Sequence, residues 1–323
     1  MDSVAITLLM DNVSDALMQS EGPAKRRGGL ADPGRGDMPR LPAPTLVGGE
    51  TFDALQAEHG FSALVTVAKG GTEHRILFDA GLTPDGVIGN MRRLDLSPKD
   101  VEVIVMSHGH MDHTTGLSGI ARALGRANLP VIIHPDFWTQ RRIAIPGRDA
   151  IEIPSTSRGA LTGAGFEIIE DRHPSFLFDG SLLVTGEVDR TTEFEKGFPV
   201  QQALRDGAWQ PDPLTLDDQA LIVHVRDKGL VVLTGCGHAG IVNTLRYARK
   251  LTGVQELYAV VGGFHLSGPL FEPIIPATVE ALAALAPAFV VPAHCTGWRA
   301  QHVLAQRFAD AYIPNSVGTR LEL

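Results

Sequence analysis

Three histidines and one aspartate fall within a run of six residues, 108–113, which reads HGHMDH. The run follows a β-branched segment at residues 101–106, which is too short for a helix and resembles a buried strand. A helical pattern begins soon afterwards, over residues 117–124. Burying so many polar side chains next to a strand costs free energy unless they are bound to something. The run therefore predicts a ligand cluster where a strand gives way to a helix.

The spacing within this run allows two neighbouring metal sites. Alternate side chains of an extended segment point the same way, so His108, His110 and Asp112 can converge on one side. Where the chain turns into a helix, Asp112 and His113 become neighbours and can serve a second ion. Zinc, iron, manganese and cobalt all accept imidazole and carboxylate ligands. We expect two divalent metal ions as cofactors, with zinc as the first choice and manganese or iron as alternatives.

The first half of the chain contains strands around this cluster. Residues 4–9 form an apolar run rich in β-formers, and residues 61–68 and 75–78 are strand-like runs joined by a Gly-Gly turn. Asp79 follows the last of these runs. We therefore expect an opening strand and a hairpin that ends at Asp79.

The second half repeats this order of strand pair, polar loop and helix. It contains strands at residues 220–225, 230–234, 257–261 and 289–292 and helices at residues 240–250 and 277–285. The polar sequences GCGH, GGFH and HCTG each come directly after one of these strands. Two similar halves of this kind predict an α/β fold, a four-layer αββα sandwich with pseudo-two-fold symmetry. We expect one domain over residues 1–323.

A Gly/Pro-rich insertion at about 20–50 interrupts the first half. It is dense in Gly, Pro and Arg and has few residues that could be buried. Two interpretations remain open: a disordered surface insertion, or a lid over the site, since long loops in compact domains are often functional.

Composition limits the classes of partner. Apolar residues make up 44% of the chain and charged residues 20%, which is typical of a globular protein with a sizeable core. The net charge of −9 and the lack of a long Lys/Arg run argue against nucleic-acid and membrane surfaces, which need clustered basic residues. With two distant cysteines and no signal-like N-terminus, we expect a cytoplasmic protein with a small-molecule substrate. The oligomeric state stays open.

The HGHMDH run matches the HxHxDH signature of the metallo-β-lactamase superfamily, and the chain resembles that family over most of its length. The resemblance implies that His108 and His110 bind one metal ion while Asp112 and His113 bind the other. Asp79 matches the family's first motif, where it would orient the loop rather than bind metal. A plain turn residue is the alternative for Asp79.

The same resemblance suggests where further ligands lie. Cys236, in LVVLTGC, occupies the slot of the family's bridging aspartate, and an inert buried cysteine is the alternative. His294, in VVPAHCTG, matches the family's last histidine ligand. No histidine stands where the family's middle ligand is expected, so Asp218 is the nearest substitute; Asp217 competes with it, and both could be simple loop acids.

His238 and His265 remain, each on a loop after a strand. Either could bind metal, act as a general acid or base near neutral pH, or bind substrate. We therefore take Asp112, His265 and His238 as the catalytic candidates.

Several longer segments resemble the branch named for the dihydropterin-ribofuranosylaminobenzene phosphate synthase. They include AEHGFSALV, GEVDRTTEFE, TGCGHAGIVNT and PAHCTG, and the similarity covers nearly the whole chain. His59 and Arg190 lie in these segments and are candidates for substrate binding, as are Glu58 and Glu193. The guanidinium of Arg190 would suit an anionic group of the substrate.

These observations predict a dinuclear metal-dependent hydrolase of a small ester, amide or phosphoester. A water activated between two cations would attack, Asp112 would position it, and His265 or His238 would protonate the leaving group. One alternative is a metal-dependent synthase or transferase acting on a dihydropterin pyrophosphate-like substrate. Others are an iron-dependent oxygen-using enzyme and a metal-binding protein without catalysis.

Overall fold

A computed structural model of the chain describes residues 1–30, 32, 39–125 and 128–323. Residues 31 and 33–38 of the predicted Gly/Pro-rich insertion lie outside the described residues. Two large sheets pack face to face, and helices cover the outer face of each, so the architecture has the four αββα layers that the sequence predicts.

The strands of the first half supply most of one sheet. In chain order they are β1 (Ser3–Met10), β2 (Ala24–Arg26), β3 (Arg40–Pro42), β4 (Glu50–Phe52), β5 (Ser62–Lys69), β6 (Thr72–Phe78), β7 (Val103–Val105), β8 (Leu129–Ile133), β9 (Arg141–Ile143), β10 (Ile151–Ile153) and β11 (Phe166–Glu170). The second half continues with β12 (Ser175–Leu177), β13 (Leu182–Val184), β14 (Gln201–Arg205), β15 (Ala208–Pro211), β16 (Ala220–Val225), β17 (Gly229–Thr234), β18 (Leu257–Gly263), β19 (Phe289–Ala293) and β20 (Thr319–Glu322).

The helices follow the strands that they cover. They are α1 (Gly86–Arg93), α2 (Met111–Thr114), α3 (Leu117–Leu124), α4 (Arg158–Gly163), α5 (Ile241–Thr252), α6 (Ile275–Leu285) and α7 (Trp298–Arg307). Short 3₁₀ helices occupy Pro98–Asp100, Pro135–Trp138, Glu272–Ile274 and His294–Thr296. No helix among the described residues combines the length and apolarity needed to cross a bilayer.

The first sheet has eight strands in the order β11-β8-β7-β6-β5-β1-β20-β2. The predicted hairpin is confirmed: β5 pairs antiparallel with β6 across Gly70 and Gly71, which both adopt positive φ. Strands β6, β7, β8 and β11 run parallel, so they end at the same edge. Strand β2, within the Gly/Pro-rich stretch, pairs with β20 at the far edge.

The second sheet has six strands in the order β12-β13-β16-β17-β18-β19. The predicted pairing of the strands at 220–225 and 230–234 is confirmed as the antiparallel β16–β17 pair. Strands β17, β18 and β19 run parallel and therefore end together, as β6 and β7 do in the first sheet.

Side chains alternate between two cores because successive residues of a strand point to opposite faces. In β6, Ile76 and Phe78 pack between the sheets while Leu77 packs under the helices. In β17, Val231 packs between the sheets and Val232 packs under α5 and α6. Each sheet is therefore apolar on both faces, which explains the nearly continuous β-branched runs in the sequence.

Two smaller sheets lie outside this sandwich. Strands β10, β9, β14 and β15 form a four-stranded antiparallel sheet, and β3 and β4 form a two-stranded one. Neither was predicted from the sequence. The four-stranded sheet brings residues from the middle of the chain to the edge where the histidine run lies.

Candidate metal centre

The carboxyl ends of five parallel strands meet at one edge of the sandwich, around a cavity of about 710 Å³. Ligand sites in open α/β sheets characteristically lie at this edge. In the first sheet β6 leads into Asp79 and β7 into the histidine run. In the second sheet β17, β18 and β19 lead into the loops that carry four more predicted site residues, which are Cys236, His238, His265 and His294.

The loop after β7 is held in a compact form. Its Gly109 lies against the backbone of Phe137, where a Cβ atom would come within 2.1 Å of the Phe137 carbonyl oxygen. The Gly109 N–H donates to the buried carboxylate of Asp217 at 2.8 Å. Only glycine fits this approach, so the loop keeps the two flanking histidines side by side.

The first group of possible metal ligands consists of His108, His110 and His238, whose ligand atoms lie within 4.8 Å of one another. His108 Nε2 is 3.0 Å from His110 Nδ1, and all three rings are buried. Within the described part of the chain, neither ring nitrogen of His238 has a hydrogen-bond partner. Because an unpaired buried nitrogen costs free energy, this arrangement fits a cation that the three imidazoles share.

The second group consists of Asp112, His113, Cys236 and His294, also within 4.8 Å of one another. Asp112 Oδ2 lies 3.3 Å from His294 Nε2 and 3.7 Å from His113 Nε2. Cys236 Sγ lies 3.3 Å from His113 Nε2. This mixture of imidazole, carboxylate and sulfur is a donor set that zinc accepts.

The other ring nitrogen of each of four histidines meets a polar atom. Metal-binding histidines usually have such an acceptor, which fixes the tautomer and the ring orientation. The pairs are His108 Nδ1 with Ser107 Oγ at 2.9 Å, His110 Nε2 with Gln201 Oε1 at 2.7 Å, His113 Nδ1 with Asp79 Oδ2 at 2.6 Å and His294 Nδ1 with Asn12 Oδ1 at 3.2 Å. The free nitrogens therefore converge on the cluster while the others face outward.

Asp79 lies behind the cluster. Its backbone φ is +58°, and its carboxylate accepts the N–H and the hydroxyl of Ser107, each at 2.7 Å. With the contact to His113, this carboxylate connects the end of β6 to the histidine loop. The geometry fits an orienting residue better than a metal ligand.

The structure places Asp218, a predicted ligand, outside the three groups of possible metal ligands. Its Oδ2 atom accepts the Ala239 N–H at 2.8 Å, and its Oδ1 atom lies 3.9 Å from His108 Nδ1, the nitrogen that faces away from His110. Asp218 thus supports the loop that carries His238 from outside the cluster. His238 is the residue that completes the first group.

The structure also places Arg190 differently from the predicted substrate contact. Its guanidinium donates to the carbonyl oxygens of His238 and Leu214, and Arg190 is not among the described residues that line the cavity. His59 does line the cavity, with Nε2 3.7 Å from Asp112 Oδ2. The carboxylate of Glu58 accepts from the backbone of Leu82 and Thr83.

Electrostatics favour the neutral, ligand-competent form of two histidines. Burial lowers the pKa of His110 to about 4 and holds the pKa of His108 well below its usual range. Burial would also lower the pKa of His113, but the carboxylates of Asp79 and Asp112 outweigh it and raise that pKa to about 9. Burial raises the pKa of the Cys236 thiol, so a thiolate at this position needs a nearby cation.

His265 lies beside the first group, with its ring centroid 4.1 Å from that of His238. Its backbone has φ +46°, a region that non-glycine residues seldom adopt, and both ring nitrogens are buried without a hydrogen-bond partner among the described residues. Phe198 and Phe271 flank the ring at centroid distances of 5.4 and 4.3 Å. Cys236, His238 and His265 also form a third group within 4.8 Å.

Sequence reasoning missed the residues that reach the cluster from distant segments. Gln201 comes from β14, Asn12 follows β1, and Phe198 precedes β14. Arg141 from β9 anchors Asp217 with two guanidinium nitrogens, at 3.0 and 2.5 Å. No local pattern marks these residues; their position depends on the packing of the four-stranded sheet against the sandwich.

We expect the Asn12→Ala substitution to weaken metal binding without unfolding the protein. Asn12 is exposed, and its Oδ1 atom is the polar partner of His294 Nδ1. Loss of such a partner typically costs on the order of 10-fold to 100-fold in metal affinity. Competition with a chromogenic chelator would measure the loss, and Asn315→Ala, whose amide contacts Asp11 instead, provides a comparison. Equal zinc affinity in Asn12→Ala and the unaltered protein would contradict this role.

Comparison with known proteins agrees with the fold. The β-lactamase superfamily domain matches residues 74–173. The 7,8-dihydropterin-6-methyl-4-(β-D-ribofuranosyl)-aminobenzene-5'-phosphate synthase of Methanocaldococcus jannaschii is 30% identical over 264 residues, which cover 79% of this chain and 87% of that protein. An uncharacterized protein of the same organism is 33% identical over 276 residues, which cover 84% of this chain and 98% of that protein.

Among solved structures, a metal-dependent hydrolase of the β-lactamase superfamily has a TM-score of 0.71 and 24% identity, covering 99% of each chain. This likeness shows the shared fold. The sequence relatives show the family, and candidate metal-binding groups lie where the histidine motif predicts them. The chain therefore belongs to the metallo-β-lactamase superfamily, a metal-dependent enzyme superfamily, within the branch that includes the dihydropterin-ribofuranosylaminobenzene phosphate synthase.

Proposed function

We propose that the protein is a hydrolase with two metal ions, which acts on a small ester, amide or phosphoester. The observation that carries the proposal is the pair of donor groups that meet at the floor of one cavity. His108, His110 and His238 would hold one ion, and Asp112, His113, Cys236 and His294 would hold the other. A cavity of about 710 Å³ has the size of typical small-molecule sites.

Zinc is the metal that this donor set favours. Imidazole and thiolate are softer ligands than the oxygen donors that manganese and magnesium prefer. When bound, such cations polarise a carbonyl or phosphoryl oxygen and lower the pKa of a coordinated water. Iron accepts the same donors and is the alternative.

The chain's own residues would orient the reactants. Asp112 lines the cavity, and its carboxylate can accept a hydrogen bond from a water molecule next to the cluster. His59, 3.7 Å from that carboxylate, can contact the substrate from the cavity side. We assign His238 as a ligand because it lies in the first group. We assign His265 as the proton donor to the leaving group because it lines the same cavity and its ring nitrogens have no partner among the described residues.

A synthase is the second candidate, favoured by the curated relative that carries that name. In that reaction class the same cluster would bind a pyrophosphate leaving group, and no water would attack. Product identity distinguishes the two reactions, because a hydrolase releases an alcohol, amine or phosphate, whereas a synthase joins two substrates.

Zinc-loaded protein should hydrolyse at least one member of a panel of p-nitrophenyl carboxylic esters, anilides and phosphodiesters. We expect the activity to disappear with a chelator and to return with added zinc. A parallel incubation with a dihydropterin pyrophosphate and an aminobenzene acceptor, analysed by mass spectrometry, tests the synthase. Coupling without hydrolysis of the panel, in protein shown to contain its zinc, would overturn the hydrolase.

A further inference from the structure

Resting on the proposed hydrolase, we infer that its substrate is an uncharged carboxylic ester or amide with an extended apolar group, aliphatic or aromatic. The cavity above the donor groups has apolar walls, and its charged side chains are acidic. The reacting bond would lie at the cluster, and the apolar group would extend along the walls toward the cavity mouth.

The walls come from three separate parts of the chain. The four-stranded sheet contributes Ile143, Ile151 and Ile153, and the loops before β14 and α6 contribute Phe198 and Phe271. The phenyl rings of these two residues meet edge to face, with centroids 5.4 Å apart. They also flank His265, so the apolar surface begins at the proposed proton donor.

The apolar surface continues to the mouth of the cavity. Ile151 is 68% exposed and Trp298 at the start of α7 is 67% exposed, yet both line the cavity. Both side chains therefore add apolar surface where the cavity opens to solvent. Their position suits a substrate long enough to reach from the cluster to the rim.

The charge of the cavity disfavours an anionic group away from the reacting bond. Among the described residues that line it, Asp112 and Glu152 are the ones with formally charged side chains, and no lysine or arginine joins them. The nearby Arg141 is bound by Asp217 and Asp212, and Arg190 is bound by carbonyl oxygens. A phosphate or carboxylate on the distal part of the substrate would therefore have no cationic partner.

Hydrolysis of a series of p-nitrophenyl esters by the zinc-loaded protein tests the apolar part of this inference. From acetate to butyrate to hexanoate, kcat/KM should rise about threefold to fourfold for each added methylene, as expected for burial of each group against apolar walls. Mono-p-nitrophenyl glutarate, which ends in a carboxylate, should be at least about tenfold poorer than the valerate of similar length. A flat series, or preference for the glutarate, would overturn the inference.

A positive charge placed on the wall should weaken this preference. Ile151→Lys puts a cation at the rim, and we expect it to improve the ratio of glutarate to valerate turnover at least about fivefold. Ile169→Lys is the matched control, since Ile169 is 43% exposed on β11 and does not line the cavity. Equal ratios in both variants would also overturn the inference.

Binding separates this inference from the proposed function. Calorimetry with acetohydroxamic, butyrohydroxamic and hexanohydroxamic acids measures the same chain-length dependence without turnover. Tighter binding with each methylene, in a protein that cleaves none of the esters, anilides and phosphodiesters, would support the apolar site while overturning the hydrolase. Ester cleavage by a protein that binds all three hydroxamates with equal affinity would support the hydrolase and overturn the apolar site.

Discussion

The His108→Ala protein should retain no more than one of the two proposed metal ions and should lose ester hydrolysis by at least about 1000-fold. His108 is fully buried. Its Nε2 atom faces His110, and its Nδ1 atom lies within hydrogen-bond distance of Ser107 Oγ. Alanine removes a ligand from the first group and leaves two imidazoles to hold the ion. Loss of metal assistance costs several kcal/mol of transition-state stabilisation, which corresponds to a rate loss of this size.

Elemental analysis and steady-state kinetics of the same preparation measure both effects. His224→Ala is the matched control, because His224 is exposed on β16 and lies outside the three donor groups. His110→Ala is a second variant of the same group, with the same expected losses. Circular dichroism checks folding, and both variants should keep the far-ultraviolet spectrum of the unaltered protein. Two metal equivalents in a folded His108→Ala protein would show that the first group is not a metal site.

Replacement of Arg141 should lower the free energy of unfolding more than any other substitution proposed for this protein. Arg141 is 2% exposed, donates to Asp212 Oδ2 at 2.9 Å and contacts both carboxylate oxygens of Asp217, which is 0% exposed. These carboxylates outweigh the burial that would lower its pKa and raise the pKa of Arg141 above its usual range. Arg141→Ala leaves the buried Asp217 carboxylate without its cation and leaves Asp212 with Arg205 alone, so we expect the free energy of unfolding to fall by about 3–5 kcal/mol.

Urea unfolding followed by fluorescence measures this difference, provided that the slope with urea stays the same. The control is Arg142→Ala, because Arg142 is only half-buried, contacts Gln202 and packs over Trp209. We expect that variant to lose less than about 1 kcal/mol. If Arg141→Ala unfolds at the same urea concentration as Arg142→Ala, the network around Asp217 does not stabilise the histidine loop as described.

Strong local patterns predicted the sandwich well. The helix expected over residues 117–124 is α3 with the same bounds, and the strand at 230–234 is β17 with one residue more. These segments pack against the cores, so apolar residues recur in them at the spacing of a helix or a strand. The strand expected over residues 101–106 is shorter, since only Val103–Val105 pairs with its neighbours.

The small outer sheets could not be predicted in the same way. Strands β9, β10, β14 and β15 are three to five residues long and mostly half-buried or exposed. Their sequences therefore lack the apolar alternation of a strand with one buried face. Yet this sheet supplies Gln201 and Arg141 to the site and Ile153 to the cavity wall.

The site was predictable where ligands are neighbours in sequence. Residues 108–113 contain four members of the two donor groups, and the strand ends identified the loops of Cys236 and His294. The sequence left open whether Asp218 or Asp217 replaces the missing histidine and what His238 does, because these residues lie on separate loops, before β16 and after β17. In the structure, one oxygen of the Asp218 carboxylate accepts from the N–H of Ala239, and His238 lies in the first donor group.

Crystals of the zinc-loaded protein, measured above and below the zinc absorption edge, would show whether the two donor groups hold metal ions. We expect two anomalous peaks per chain. One should lie among His108, His110 and His238, and the other among Asp112, His113, Cys236 and His294. A single peak away from these side chains, or none in protein that contains zinc by elemental analysis, would contradict the paired metal centre.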